Sequence, residues 1–365
     1  MTESKNRDIA PNTKLLIAAS GTGGHLFPAI ATADALSDVA IEWLGVPDRL
    51  ETRLVPSQYP LHTIPVEGFQ QKLGLGTLRI LSRLVRSIWQ VRRLLQQEKF
   101  QGVFTTGGYI AAPAIIAARS LGLPAILHES NALPGKVTRL LSPWCSTVAL
   151  GFDAAAKYLP KAKTVCVGTP VRSPFLANPE ALPPLNLPIP EDVPVIVVVG
   201  GSQGAVAVNR LVRQCAPTWI EAGAWIVHLT GDNDPDVKSF THPHYLALPF
   251  FDNMAALLWR ATLAISRSGA GTLTELAIAQ LPSILIPYPF AAEDHQTYNA
   301  QVFADAGAAY LHQQTDLTPE RLNAEVVRLL NSPEELAQLR TATAKLAIAD
   351  SAQQLATLIR QSIAS

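Results

Sequence analysis

An apolar run, a glycine-rich turn and a helical stretch follow one another twice in this chain, and this repeated order strongly constrains the fold. The first copy begins LLIAASGTGGHLFPAIATADAL at Leu15, and the second begins PVIVVVGGSQGAVAVNRLV at Pro194. Buried parallel strands are continuous apolar runs, and glycines after them let the backbone approach a phosphate closely. The repeat therefore predicts two Rossmann-like halves, each opening with a turn of the phosphate-binding type.

Short β-rich runs alternate with helical stretches elsewhere, which predicts an α/β protein whose parallel sheets are covered on both faces. The predicted strands are 15–19, 41–44, 103–105, 125–128, 147–150, 164–167, 225–229, 245–248, 263–266 and 283–287. Helices are predicted at 26–36 and 111–121, and the final segment 333–364 reads as helical. Prolines crowd residues 168–194, and proline ends regular structure. We therefore place a domain boundary there, with a first domain at 1–170 and a second that begins at 171.

Composition excludes several classes of protein. Lys plus Arg and Asp plus Glu each number 29 among 365 residues, so the balance argues against bulk nucleic-acid binding. The three cysteines are widely spaced, which predicts neither a disulfide framework nor a zinc site and fits a reduced cytoplasmic setting. The polar N-terminus predicts no secretory signal, and no apolar run reaches the roughly 18 residues of a membrane span.

Three glycine turns follow predicted strands, at 21–25, 107–109 and 200–204. Free N–H groups at the start of a helix favour an anion, and three such turns on two domains favour a shared ligand cleft over glycines that merely allow tight packing. A nicotinamide or flavin enzyme is a rival interpretation. Its GxGxxG pattern fits Gly21 and Gly23, but Leu26 stands where the third glycine belongs.

A histidine directly after the first glycine turn is the second unusual feature. At a helix N-terminus the helix dipole disfavours a positively charged imidazole at His25. A neutral imidazole can accept a proton, which is what a general base must do. The alternative is a histidine that donates a structural hydrogen bond.

Seven motifs in series resemble the MurG family of peptidoglycan N-acetylglucosaminyltransferases, in glycosyltransferase family 28. They are GTGGH.FP, TTGGY.A.P, HE.N..PG, GTPVR, GGSQGA, RSGAGT..E and EDHQTYNA, and they run in order from residue 21 to about 301. The resemblance implies a GT-B fold, in which two Rossmann-like domains face each other across a cleft. It also implies that a C-terminal helix, at about 350–365, returns to the first domain, so that the second domain is 171–349.

The activity that the resemblance implies is transfer of N-acetylglucosamine (GlcNAc) from UDP-GlcNAc to the C4 hydroxyl of N-acetylmuramic acid (MurNAc). The acceptor is undecaprenyl-diphospho-MurNAc-pentapeptide, so the reaction converts lipid I to lipid II in bacterial peptidoglycan synthesis, on which cell shape and cell division depend. The configuration inverts, which requires a base for the hydroxyl proton and stabilisation of the departing diphosphate.

Site residues follow from the matched motifs. His25 is the candidate base, and Glu129 is an alternative base, a residue that orients the acceptor, or a carboxylate that caps the next turn. Ser130 stands where the family often has glutamine. The resemblance assigns UDP-GlcNAc binding to Thr22, Gly23, Gly24, Asn131, Arg172, Ser202, Gln203, Gly204, Phe251, Ala270, Gly271, Thr272, Leu273, Thr274, Glu275 and Gln296. It assigns the acceptor diphosphate to Gly21, Thr22, Gly107, Gly108 and Tyr109.

Within the donor set, Glu275 is expected to accept both ribose hydroxyls, the Phe251 backbone to read uracil beside an apolar side chain in the core, and Gln296 to read the sugar. We expect no cofactor and no essential metal, because helix dipoles and Arg172 can neutralise the diphosphate. The run Asp232, Asp234 and Asp236 is interpreted as a solvated turn.

The stretch from Lys72 to Leu95 has six basic residues, no acidic residue and an apolar side. This pattern is typical of an interfacial helix, although a core-facing helix with a solvated basic face would look similar. The lipid acceptor favours peripheral binding to the cytoplasmic face of the anionic inner membrane through Arg79, Arg83, Arg86 and Trp89. Other cell-wall synthesis proteins are further expected partners.

Other enzymes of the same architecture remain alternatives, namely a diacylglycerol glycosyltransferase or a UDP-GlcNAc 2-epimerase. The HESN and GTPVR motifs favour the peptidoglycan enzyme. A non-catalytic UDP-sugar-binding subunit is the alternative from another class. The presence of both His25 and Glu129 beside the glycine turns argues against it.

Overall fold

The computed structural model describes residues 13–66, 75–201 and 204–364, with the backbone alone for 75–79. The chain folds as two compact units. The first runs up to Arg172 and resumes at Asp350, and the second is Ser173–Ala349. Val171 and Arg172 thus lie in the first unit, not in the second as the sequence-based boundary had them. The reason is packing, because Val171 is buried and the Arg172 guanidinium lies 4.8 Å from the Phe27 ring centroid.

The first unit is built on a parallel sheet of seven strands in the order β3-β2-β1-β4-β5-β6-β7. The strands are β1 (Lys14–Ala18), β2 (Ala40–Gly45), β3 (Leu61–Thr63), β4 (Gly102–Thr105), β5 (Ala125–Glu129), β6 (Thr147–Leu150) and β7 (Thr164–Cys166). The helices are α1 (Gly23–Asp34), α2 (Glu51–Leu54), α3 (Leu75–Gln97), α4 (Ala111–Ser120), α5 (Lys136–Leu141) and α12 (Ser351–Ile363).

Both faces of this sheet are buried, as the apolar runs predict. Alternate residues of β1 enter different cores: Leu16 packs with the residues of α3 and α4, whereas Ile17 packs with those of α1 and α12. The final helix α12 completes the second of these cores with Leu355 and Ile359, which are fully buried. An ion pair between Arg360 and Asp38, 2.5 Å apart, then holds the end of α12 in place.

The second unit repeats the plan with six parallel strands in the order β10-β9-β8-β11-β12-β13. Its strands are β8 (Val195–Val199), β9 (Trp225–Leu229), β10 (Tyr245–Leu248), β11 (Leu263–Ser266), β12 (Ser283–Leu285) and β13 (Ala309–Leu311). Its helices are α6 (Val206–Glu221), α7 (Met254–Arg260), α8 (Ala270–Ile278), α9 (His295–Asp305), α10 (Pro319–Leu330) and α11 (Pro333–Ala344).

The structure corrects the sequence-based elements in two places. The segment 333–364 is two helices, α11 and α12, because the chain leaves the second unit and re-enters the first at Asp350. The strands β3 and β13 were not predicted. Each is a three-residue strand at a sheet edge, and β3 (LHT) carries no apolar run, whereas the run AAYL at 308–311 was not recognised as a strand. Among the described helices, none combines the length and the apolarity needed to cross a membrane.

Candidate active site

In each sheet the strand order reverses at one point, between β1 and β4 in the first unit and between β8 and β11 in the second. Ligands of open α/β sheets bind outside the carboxyl ends of the strands at such a point, because the connections on either side diverge and leave a crevice. Residues that follow β1, β4, β8 and β11 therefore define where a site can form in each unit.

His25, in the first turn of α1, is held across the reversal point of the first unit by Thr106, which follows β4. The His25 Nδ1 atom lies 2.7 Å from the Thr106 carbonyl oxygen, and the Thr106 hydroxyl donates to the His25 carbonyl over 2.9 Å. A carbonyl oxygen can only accept, so Nδ1 carries the proton. In the neutral tautomer with this Nδ1 proton the lone pair lies on Nε2, which is the arrangement that a general base requires.

Two glycines of the predicted acceptor set flank this ring. Gly107 and Gly108 both have positive φ angles, 90° and 73°. A Cβ atom on Gly107 would lie 3.7 Å from Cε1 of His25, and one on Gly108 would lie 3.7 Å from its Nε2. The structure thus brings His25, Gly107 and Gly108 together, and side chains at the two glycines would occupy space beside the imidazole ring. The neighbouring Tyr109 is exposed.

The predicted Gly21 has its amide engaged within the protein. Its N–H donates to Oε2 of Glu51 over 3.3 Å, and Glu51 is fully buried. A side-chain acceptor thus already occupies the N–H group that the sequence-based assignment offered to a diphosphate. Glu51 and Thr106 were both missed, because each acts through contacts far along the chain.

Glu129, at the end of β5, holds the loop that follows it. Its Oε1 accepts hydrogen bonds from the backbone and side-chain nitrogens of Asn131 at 3.0 and 3.1 Å, and its Oε2 accepts one from the Gly135 N–H at 3.1 Å. Both oxygens are committed to the loop, so the geometry favours an orienting role for Glu129 and leaves His25 as the candidate base.

Ser130 serves a structural contact at the position where the family often has glutamine. Its hydroxyl lies 3.3 Å from Nδ1 of buried His128, whose Nε2 donates to the Gly168 carbonyl over 2.9 Å. Burial lowers the pKa of His128, so this histidine is neutral and its Nδ1 accepts from Ser130.

In the second unit, the turn after β8 leaves no room for side chains at two of its glycines, Gly200 and Gly204. A Cβ on Gly204 would lie 2.4 Å from the Thr230 carbonyl oxygen, and φ at Gly204 is 73°. A Cβ on Gly200 would lie 2.8 Å from the Ala205 nitrogen. The predicted Ser202 and Gln203 lie outside the described residues.

A buried polar network supports the helix that follows this turn. Asn209 of α6 donates to the Thr230 carbonyl over 2.9 Å and to Oδ2 of Asp234 over 2.8 Å, and Arg213 binds both Asp234 oxygens at 2.6 and 3.2 Å. Asp234 is therefore a buried ion-pair partner, which corrects its interpretation as part of a solvated turn. Asp232 is exposed, and Asp236 pairs with Arg210 near the surface.

The same network fixes the protonation of His228, which is fully buried. Its Nε2 lies 3.0 Å from Oδ1 of Asn209 and donates to it, while Nδ1 accepts from the Tyr245 hydroxyl at 2.6 Å. Burial first, and then the nearby Arg213 charge, lower the pKa of His228 to about 3. Burial would raise the pKa of Asp234, but hydrogen bonds from Arg213 and its other partners outweigh burial and hold that pKa below its ordinary value.

The turn after β11 is joined to the loop after β12 by the predicted Gln296. Its Oε1 accepts from the N–H groups of Ser268 and Tyr288 at 3.3 and 2.9 Å, and its backbone carbonyl accepts from the Ser268 hydroxyl at 2.8 Å. Within the described chain its amide nitrogen makes no hydrogen bond, so this donor faces no competing acceptor. Arg267 braces the same loop through the carbonyls of Ile286 and Pro287.

The other predicted donor residues of this unit differ in what they can offer. Leu273 is fully buried, so its side chain belongs to the core and not to a ligand site. The Thr274 hydroxyl donates to the Ala270 carbonyl within α8. Gly271, Thr272 and Glu275 are half-buried. Phe251 is also half-buried, which corrects the expectation of a core side chain.

The predicted membrane helix α3 has two different apolar faces. Val91 and Leu95 are buried in the core, whereas Leu81, Val85 and Trp89 are 50%, 59% and 58% exposed. These three recur every fourth residue and so lie along one stripe of the helix. Arg86 is exposed and Arg83 is half-buried, and the side chain of Arg79 lies outside the described residues. Within the described ranges no three His, Cys, Asp or Glu side chains form a group that could hold a metal ion.

Comparison with known proteins agrees with this architecture. Residues 15–150 match the glycosyltransferase family 28 N-terminal domain, and residues 195–355 match its C-terminal domain. Calicheamicin glycosyltransferase CalG4 shares the fold at 15% identity, with a TM-score of 0.70 over 97% of this chain and 98% of that one. The crystal structure of Acinetobacter baumannii MurG is 32% identical, with a TM-score of 0.78 over 96% of this chain and 99% of that one. The two Rossmann-like units thus define a glycosyltransferase of the GT-B fold.

Relatives at higher identity narrow the class further. A Nostoc species has a protein 69% identical over 95% of this chain and 97% of its own length, and Gloeothece citriformis has one 65% identical over 95% of each. Both are named UDP-N-acetylglucosamine--N-acetylmuramyl-(pentapeptide) pyrophosphoryl-undecaprenol N-acetylglucosamine transferase. The chain belongs to glycosyltransferase family 28 and, within it, to the MurG family.

Proposed function

We propose that this chain transfers GlcNAc from UDP-GlcNAc to the C4 hydroxyl of MurNAc in undecaprenyl-diphospho-MurNAc-pentapeptide, with inversion at the anomeric carbon. The names of relatives at 59–69% identity support the two substrates. The observation that carries the chemistry is the tautomer of His25. Its Nδ1 proton is committed to the Thr106 carbonyl, so Nε2 is the atom available to take a proton.

The acceptor side of the reaction follows from the first unit. His25 Nε2 removes the proton from the C4 hydroxyl as the oxygen attacks, and the imidazolium that forms keeps its Nδ1–H bond to Thr106. Glu129 holds the loop that carries Asn131, and so sets where this amide meets a substrate. The amides at the start of α1 favour the acceptor's diphosphate, because unpaired N–H groups at a helix N-terminus attract anions.

The donor side follows from the second unit. Gly204 lets the backbone before α6 pack against the Thr230 carbonyl, and the N–H groups at the start of α6 favour the UDP diphosphate. The Gln296 side-chain amide donates to a sugar hydroxyl, since its oxygen is already used by Ser268 and Tyr288. The carboxylate of Glu275 accepts the ribose hydroxyls. In the first unit, Arg172 supplies positive charge, and its stacking on Phe27 holds that charge next to α1.

Catalysis without a protein-bound metal is part of the proposal. The leaving diphosphate is neutralised by the N-terminus of α6, which supplies positive potential without a resident ion. Turnover after treatment with a chelator and gel filtration should equal that of the untreated protein. Loss of turnover that added Mg²⁺ restores would contradict this part.

A transfer assay tests the proposed function against its alternatives. Radiolabelled UDP-GlcNAc is offered with a lipid I analogue, with diacylglycerol, or with no acceptor. We expect label in the lipid I analogue alone, and a β-linked disaccharide by NMR. Label in diacylglycerol would indicate the lipid glycosyltransferase, and N-acetylmannosamine formed without an acceptor would indicate the epimerase. Tight UDP binding with no product in any mixture would indicate a non-catalytic subunit.

We further propose that α3 places the chain on the cytoplasmic face of the inner membrane. The exposed stripe of Leu81, Val85 and Trp89 offers apolar area to the lipid, and Arg83 and Arg86 lie on the same helix. Each cation near an anionic surface contributes about 1 kcal/mol. Apolar burial and charge attraction acting together are what a surface-bound helix needs.

Binding to vesicles tests this membrane role. Replacing Arg79, Arg83 and Arg86 with Glu should weaken sedimentation with anionic vesicles and leave UDP binding unchanged. Leu81→Ser with Val85→Ser should weaken it in neutral vesicles as well. Sedimentation equal to that of the wild type in both sets would contradict the role.

A further inference from the structure

Glu51 carries a carboxylate buried at the base of the first glycine turn. Its Oε1 accepts from the Ser20 hydroxyl at 2.5 Å and from the Val46 N–H at 2.7 Å, and its Oε2 accepts from the Gly21 N–H at 3.3 Å. The side chain is fully buried, and no cationic group of the described chain pairs with it. An unpaired carboxylate is costly to bury, so these three donors are what keep it there.

The backbone around Glu51 is shaped to admit this side chain. A Cβ on Gly45 would lie 2.7 Å from the Glu51 Cγ, so a larger residue at the end of β2 would displace the carboxylate. The contact also joins segments about thirty residues apart, the turn after β1 and the loop after β2. Glu51 therefore couples the position of the turn to the sheet.

In this arrangement some N–H groups of the turn have a protein acceptor and others do not. Gly21 donates to Glu51, and His25 and Leu26 donate to the Thr22 carbonyl. The Thr22 side chain forms no cap. Within the described chain the amides of Gly23 and Gly24 have no protein acceptor, which is usual for the first N–H groups of a helix. These two amides directly precede His25.

We propose that Glu51 is a positioning residue for the acceptor substrate. By fixing Ser20 and Gly21, it sets the start of α1 so that the amides of Gly23 and Gly24 receive the acceptor's diphosphate, while His25 faces the hydroxyl. The proposal rests on the proposed function and deepens it. It withdraws Gly21 from the predicted diphosphate ligands and adds a residue that touches no substrate.

Glu51→Gln tests this role at nearly constant volume. The amide oxygen can replace Oε1, but the NH₂ group then faces the Gly21 N–H, so one donor opposes another. Ser20→Ala is a milder variant that removes one hydrogen bond and leaves the carboxylate. Glu42→Gln is the matched control, because Glu42 bonds Lys14 and His62 in the same unit and lies outside the turn.

Steady-state kinetics with a short-chain lipid I analogue should separate positioning from simple stability. We expect Glu51→Gln to raise the KM for the acceptor about tenfold, equal to about 1.4 kcal/mol, with the KM for UDP-GlcNAc changed less than twofold. Ser20→Ala should raise the acceptor KM about threefold, and Glu42→Gln should leave both KM values as in the wild type.

Three results would overturn the proposal. One is a loss of kcat alone, as expected when only part of the protein is folded. Another is an equal rise in both KM values. The third is a lower acceptor KM, which would mean that the carboxylate repels the diphosphate. Should Glu51→Gln fail to fold, Ser20→Ala alone decides, and an unchanged acceptor KM would then refute the role. Failure of the wild type to transfer would instead refute the proposed function.

Discussion

The glycine turns of the two units occupy equivalent positions, after the first strand of each sheet, yet they are built for different tasks. The first turn leads directly to an ionisable ring, because His25 follows Gly24 and is clamped by Thr106. In the second, Gly204 packs against the Thr230 carbonyl, and no titratable side chain lies between it and α6. Under the proposed function, one fold thus provides one turn for chemistry and another for binding.

The support of the two turns differs in the same way. The first turn is held directly, because Glu51 bonds residues of the turn itself. The second is held indirectly, through Asn209 of α6 and the buried pair of Arg213 and Asp234. Damage to the first support should therefore change substrate handling, whereas damage to the second should first cost stability.

The largest effect on substrate binding is expected when a side chain is added in the second turn. Gly204→Ala places a methyl group 2.4 Å from the Thr230 carbonyl at a φ of 73°, so the turn must move. The KM for UDP-GlcNAc should rise more than tenfold. Gly223→Ala is the matched control, since φ is 88° there but nothing lies within 4 Å of the added carbon. Equal KM values for the two variants would show that close backbone approach is not what Gly204 provides.

The next prediction concerns stability, which should fall when the buried carboxylate that supports the second turn is removed. Asp234→Ala leaves Arg213 buried without its partner, and such a loss costs about 3–5 kcal/mol of unfolding free energy. Asp236→Ala breaks the exposed pair with Arg210 and should cost less than about 1 kcal/mol. Urea unfolding measures both. Similar losses would mean that the buried network does not support the second unit.

The pH dependence of stability should report on the same network. His228 is neutral in the folded protein, with its pKa lowered to about 3 from 6.5, so the unfolded chain binds the additional proton between these values. Unfolding free energy should therefore fall as the pH falls below 6.5, by up to about 1.4 kcal/mol per pH unit from this group. In His228→Asn the slope of unfolding free energy against pH, between pH 6 and 4.5, should be smaller than in the wild type. The difference corresponds to the uptake of up to one proton on unfolding. An unchanged slope would contradict the assignment.

A smaller effect is expected at the clamp of the first turn. Thr106→Val removes the hydroxyl that bonds the His25 carbonyl and retains the carbonyl that bonds Nδ1. A hydrogen bond contributes about 1 kcal/mol, so kcat should fall about fivefold with the KM for UDP-GlcNAc unchanged. Thr343→Val removes a comparable buried hydroxyl in the second unit and should leave kcat intact. An unchanged kcat in Thr106→Val would mean that the backbone alone positions the ring.

Much of the fold could be predicted from the sequence because the central strands are continuous apolar runs. The predicted bounds 147–150, 225–229, 245–248 and 263–266 coincide with β6, β9, β10 and β11. The edge strand β3 escaped prediction because its residues, LHT, form no such run, and β13 escaped although it lies in the short apolar run at 308–311. Composition does not reveal the break between α11 and α12, since both helices are rich in alanine and leucine, and only the family resemblance implied a separate helix at about 350–365.

The site could be predicted only where function shows in a motif. His25 and the glycines are adjacent in sequence, so a local pattern reveals them. Thr106 and Glu51 contact the first turn from positions far along the chain, and a single sequence contains no sign of such contacts. Asp234 has acidic neighbours two residues away on either side, and only the fold distinguishes the buried carboxylate from the exposed ones.

The central claim is that His25 accepts the acceptor's proton, and one measurement tests it directly. Transfer of radiolabelled GlcNAc to a lipid I analogue is compared between the wild type and His25→Ala, together with UDP binding by each. General-base catalysis contributes about 10²–10⁴-fold, so kcat should fall by that factor while the affinity for UDP stays the same. Equal transfer by the two proteins would contradict the account.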